Sequence, residues 1–306
     1  MRFSQNTFVA EYAENALASG FGAAEVALAV TKMATPFTGV TATDLPWDEA
    51  YTNPNSLTEW KEIQPVGLDG GKAYMEAVGY KPEEGSLPTH WQRDPILFYT
   101  DFAVGAVPKT KCLHFYDGVQ RLESYGVYGT SLNINVGGPE TMVKVTRKMQ
   151  SYKTETASLN AVAKPTWLST TTYPLLKSSS VVFTIATVAQ TLRTLDLTIQ
   201  NIYTEKDIGE RHSTIVLKDR IYKLTFTTAE PINAVDLENF ATSKTKKAIS
   251  LTLGTVTTHQ GILTASDAYV IRTDPSHVAD AKPGEILYAY EVKLSESGAY
   301  TWTPNA

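Results

Sequence analysis

One cysteine, Cys112, is all that the 306 residues contain. A disulfide framework and a cysteine-rich zinc site within the chain are both excluded, and a reducing compartment is the simplest setting. A basic surplus is missing too. Lys and Arg number 27 against 32 Asp and Glu, a formal net charge of -5. Proteins that hold nucleic acid through its phosphates carry an excess of Lys and Arg, so tight DNA or RNA binding is not expected. No Asn-x-Ser/Thr glycosylation acceptor occurs. Long apolar runs are also absent: the most apolar N-terminal stretch, Ala23 to Val30, is short and holds Glu25. A membrane span needs about 20 apolar residues. The expectation is neither a signal peptide nor a membrane segment, and a protein made in a cytoplasm.

Signatures of chemistry are equally scarce. The histidines His90, His114, His212, His259 and His277 show no metal-ligand spacing on one element, and each reads as a surface or half-buried residue. Gly67 to Lys72 resembles a phosphate loop only superficially. Val66 stands where the first Gly belongs, and Ala73 where a Ser or Thr would hold magnesium. Asp267, Asp274 and Asp280 are spaced too widely for a calcium loop. Cys112 near His114 is not by itself a catalytic pair, and no GxSxG elbow or HExxH pair is present. No catalytic residue, cofactor or metal is expected.

What the chain does have is enough apolar material for a core: 42% hydrophobic and 10% aromatic residues, and a length that suits one large domain or two of about 150 residues. Leu132, Ile134 and Val136 alternate with Asn133 and Asn135. After the turn residues Gly137-Gly138-Pro139, Val143 and Val145 alternate with Lys144 and Thr146. This period of two predicts a hairpin with one apolar face. Leu195 to Ile199, Tyr222 to Phe226, Ile249 to Leu253 and Ile286 to Leu294 repeat the pattern. Asp94-Pro95 ahead of Ile96 to Tyr99 predicts a short helix capped by Asp94, and another is plausible over Val235 to Ala241. Ala13 to Ala18 and Ala23 to Val30 read as short helices or a strand. Thr35 to Gly85, rich in Pro, Gly, Asn and Asp, reads as an ordered loop pinned by aromatic residues and suited to covering a neighbouring surface. The Leu132 and Leu195 strands look alike, either as copies of one β unit or as two strands of one sheet.

Three segments carry a resemblance: Tyr128 to Val136, Leu192 to Asn201, and Asp236 to Phe240 before the strand at Ala248 to Leu253. With the order of elements over about residues 90 to 300, they resemble the tail tube proteins of long-tailed bacterial and archaeal viruses. The resemblance implies a mainly β fold, a β-sandwich or barrel with one or two short flanking helices and long loops. Residues 1–92 would be an irregular arm packing on neighbouring subunits. Residues 93–306 would be the tube domain, with 161–180 joining two related halves. It further implies a structural virion protein of the tail, assembled in the host cytoplasm into stacked rings. Its partners would be its own copies, the tape measure and terminator proteins, and viral DNA that passes through without tight binding. The rings would be hexamers or, if the β unit is duplicated, trimers with pseudo-sixfold symmetry; the sparse alternation in the first third of the chain favours hexamers. The mixed charges of Asn201 to Asp219, including Glu205, Lys206, Asp207, Glu210 and Arg211, suit an inter-ring contact loop. Two other readings fit the same profile: a capsid decoration or baseplate protein, and a carbohydrate-binding or adhesin module using Trp47, Trp60, Trp91, Trp167 and Trp302.

Overall fold

The computed structural model describes residues 8–13, 52, 54–63, 74–116, 120–138, 140–151, 153–158, 170–171, 173–206, 214–235, 244–255, 259–274 and 287–305. Strand follows strand along almost all of it, as the alternating patterns require. The N-terminal strands are β1 (Phe8–Ala13), β2 (Asn55–Ile63), β3 (Tyr74–Glu83) and β4 (Gly85–His90). Helix α1 (Ile96–Thr100) is followed by β5 (Lys111–Tyr116), β6 (Gln120–Val136), β7 (Lys144–Gln150) and β8 (Lys153–Ser158). Then come β9 (Val181–Ile185), β10 (Val188–Gln190), β11 (Leu192–Lys206), β12 (Thr214–Thr228), β13 (Lys247–Leu253), β14 (Gly261–Asp274), β15 (Tyr288–Leu294) and β16 (Tyr300–Pro304).

The main sheet is antiparallel and runs β4-β7-β6-β11-β12-β15-β14-β13-β9-β10, with β16 alongside β14. Strand β6 serves two sheets. Its first half pairs with β5 and β8, and its second half with β7 and β11. Gly126, at φ +57°, sits at the handover, where a side chain would be strained. The expected hairpin is β6–β7, with Ile134 opposite Val145 and Leu132 opposite Arg147. The two look-alike segments are direct neighbours in one sheet: Leu195 faces Val136, Leu197 faces Ile134 and Ile199 faces Leu132.

Apolar residues of every main strand but β10 and β16 share one buried cluster. The sheet therefore wraps over itself. Phe183 of β9 lies 4.8 Å from Phe226 of β12, although three strands separate them in the order of pairing. Phe226 stacks in turn on Tyr290, its partner across β15, at 5.2 Å. Rings offset in this way add about 0.5–1.5 kcal/mol per pair beyond the area they bury. The segment after Tyr173 seals one side: the Leu176 amide donates to Trp91 O at 3.0 Å, and its carbonyl accepts from Val143 at 2.9 Å.

Two expectations need correction. Thr35 to Gly85 is not loop throughout, because Asn55–Ile63 and Tyr74–Glu83 pair as a ribbon from Asn55↔Glu83 to Ile63↔Tyr74. The turn-forming residues lie mostly outside those runs, at Asn53-Pro54 and Gly67 to Gly71, and cross-strand pairing settles the rest. Gly85–His90, assigned from sequence to the arm, is a strand of the main sheet paired with β7. Residues 233–235 are helical; residues 236–241 of the expected helix and the segment Ala23 to Val30 lie outside the described residues.

Candidate assembly interface

The β11–β12 hairpin is the longest paired element, registered from Leu192↔Thr228 to Lys206↔Thr214. Its inner half lies inside the main sheet. On β11, Gln200 is the last residue paired with β6, and on β12, Leu224 is the last paired with β15. Beyond that point the hairpin continues as a two-stranded extension, with a bulge between Ile202 and Tyr203 that strengthens its local twist.

The root of that extension is fastened to α1. Arg220 Nε donates to Asn201 Oδ1 at 2.9 Å, Nη2 to the Phe102 carbonyl at 2.9 Å and Nη1 to the Thr100 carbonyl at 3.3 Å. The guanidinium also lies 4.8 Å from the centre of the Phe102 ring, a geometry that suits its flat cationic face. Buried Asn201 donates from Nδ2 to the carbonyls of Tyr99 and Gly129, and Tyr203 OH donates to the same Gly129 carbonyl at 2.6 Å. Gly129 is required here, because a Cβ would run into the Tyr99 ring. Past the helix, Gly105 and Ala106 exchange backbone hydrogen bonds with Leu217 at 2.8 and 3.0 Å. That contact covers part of the open edge of β12.

Helix α1 is held at its other end by Asp94, as its sequence predicted. One carboxylate oxygen accepts from the Ile96 amide at 2.8 Å, and the other from the Trp302 indole at 2.8 Å. Burial pushes the Asp94 carboxyl above its ordinary range, against the opposing pull of hydrogen bonds from Ile96, Trp302 and Leu97 and of nearby His259. Trp302 packs against Trp91 at 6.1 Å, and the Trp91 indole donates to the His259 carbonyl. Both indole N–H groups are thus spent inside the molecule, and Trp91 is fully buried. Trp91 therefore has no free face for a sugar platform, and the Trp302 indole N–H is already taken by Asp94. Burial and the Lys144 charge both lower the pKa of His90.

Of the residues expected in a contact loop, Glu205 and Lys206 end β11, opposite Ile215 and Thr214. Asp207, Glu210 and Arg211 lie outside the described residues, as do His212 and His277. Arg220, Asn201 and Tyr203, which the sequence did not single out, fasten the root of the hairpin. Among the described residues, no group of three His, Cys, Asp or Glu side chains could hold a metal ion, and no helix is long and apolar enough to cross a membrane.

A second exposed element is the β9–β10 hairpin. Its two-residue turn places Ala186 at φ +47° and Thr187 at φ +72°, and the Ala186 amide donates to Ala248 O at 2.8 Å. Val182 and Val188 beside it are 45% and 63% exposed, well beyond what a buried strand would leave. No family model and no curated protein matches the chain.

Proposed function

We propose that this protein is a structural subunit that self-assembles into stacked rings, and that the assembly is the tail tube of a tailed virus. The reading rests on one observation above others: the β11–β12 hairpin runs on as a paired two-stranded extension past its last partners in β6 and β15. Arg220, Asn201 and Tyr203 anchor its root, and its distal segment carries charges of both signs. An arm fixed at its root and carrying charges of both signs suits complementary contacts to a neighbouring surface. The residues Glu205, Lys206, Asp207, Glu210 and Arg211 are its inter-ring contact. The net negative charge suits a conduit that lets a polyanion pass without holding it. The Leu132 and Leu195 strands pair within one sheet, which favours one β unit per chain and a ring of six chains over three duplicated ones.

Electron microscopy of the purified protein tests this directly. Rings or tubes are expected, with six equivalent lobes in end-on averages; three paired lobes would replace the hexamer by the trimer. Isolated particles at every concentration would remove the reading. A variant lacking residues 207–213 is expected to keep the wild-type far-ultraviolet spectrum yet form no tubes, and tubes at normal yield would take the contact role away from this hairpin.

A further inference from the structure

The β2–β3 ribbon is a sheet of its own: among the described residues its strands pair only with each other, and β2 packs against β8 near the ribbon's root. Nine residues of β2 extend about 30 Å at ~3.4 Å per residue. A two-stranded ribbon of this kind is marginal in water unless it lies on another surface. Its root is nevertheless fixed. Ser124 Oγ and Ser151 Oγ, both on buried residues, donate to the Pro54 carbonyl at 2.8 and 3.0 Å, and Thr52 and Ser86 exchange backbone hydrogen bonds at 2.9 and 3.0 Å. The strand sequences are acidic, with Glu59, Glu62, Glu76 and Glu83 against Lys61 and Lys81.

The β9–β10 hairpin offers the converse surface. It exposes Val182 and Val188, and cations neighbour it in sequence and pairing. Lys177 and Arg193 flank it along the chain, and Lys244, Lys246 and Lys247 adjoin its turn through Ala248. On the β15–β16 side, Ser297 bonds both Lys246 and Asp267, and Glu296 is next to it in sequence. We propose that the β2–β3 ribbon of one copy docks on the β9–β10 hairpin of a second copy. This inference rests on the self-assembly reading and names the two surfaces that meet. Two different patches in contact make a head-to-tail interface, the kind that closes into rings or continues along a fibre.

Charge reversal separates the possibilities. Glu59→Lys with Glu62→Lys, or Lys246→Glu with Lys247→Glu, is expected to raise the concentration needed for assembly by about tenfold or more, with an unchanged circular dichroism spectrum. Combining both pairs should restore assembly. Normal assembly of either reversed protein overturns the docking while leaving self-assembly intact; a wild type that never associates overturns both. Thr58→Cys and Val188→Cys in a Cys112→Ser background add a second readout. A disulfide-linked dimer or ladder is expected on oxidation, whereas a cross-linked monomer would mean the ribbon folds back on its own chain and would also overturn the proposal.

Discussion

Arg220 shows how much one side chain can carry in this molecule. It reaches Phe102, 118 residues upstream, and with Asn201 it holds α1 against the root of the long hairpin. Lysine keeps the charge but cannot span three acceptors and a ring with one ammonium group. Arg220→Lys is therefore expected to lower stability by about 1–3 kcal/mol, read as a drop in the urea midpoint; an unchanged midpoint would mean the contacts carry no net energy. Asp94 makes a prediction with a definite sign. Its folded pKa is raised, chiefly by burial, so the folded state holds the proton more tightly than the unfolded chain does. The contribution to stability is fullest below the ordinary carboxylate range and is lost as pH rises through the folded value. Relative to Asp94→Asn, the wild type should gain stability on acidification from neutral pH. A salt-bridged carboxylate would behave in the opposite way, and denaturant titrations of both proteins across that range tell the two apart.

Among the elements, the β9–β10 turn holds two residues at positive φ with neither a glycine nor an asparagine. Left-handed backbone costs roughly 1–2 kcal/mol for an ordinary residue, and more for a β-branched one such as Thr187. Ala186→Asn with Thr187→Gly fits the same turn without strain and is expected to raise the thermal midpoint by several degrees, on the order of 1–2 kcal/mol of stabilisation. A lower midpoint would mean that the two side chains make compensating contacts. This turn also marks where sequence reading ran out. Strands with one face in the core and the other in water announce themselves by alternation, as β11 does from Leu195 to Ile199 and β15 from Tyr288 to Val292. Strand β9 opens Val181-Val182-Phe183, apolar on both sides, and its turn lacks the usual Gly or Asn signal. In β6, Gly126 breaks the backbone conformation between its two halves. The Asp94 cap was legible because capping depends on neighbours in sequence. The Arg220 clamp was not, because a guanidinium in a run of charges gives no sign of the distant carbonyls that it meets.

At the scale of the whole molecule, a far-ultraviolet spectrum dominated by strand is expected from the element order, and added salt should disassemble any polymer that depends on the mixed-charge hairpin. Polymer that survives molar salt would point to apolar contacts instead. The order of strands in the sheet differs from their order in the chain, and this has a consequence for timing. Strand β12 finds its outer partner only in β15, and β9 finds its inner partner only in β13. During synthesis, these edges emerge well before the strands that cover them, and non-local pairings of this kind form slowly. The β9–β10 hairpin reaches its final position only after Lys247–Leu253 has been made, and the sheet is bridged from β12 to β14 only after Tyr288–Leu294 has. Under the proposed docking, a nascent chain that ends short of Lys247–Leu253 has no partner strand to place the β9–β10 hairpin, and it is expected to be left out of any polymer.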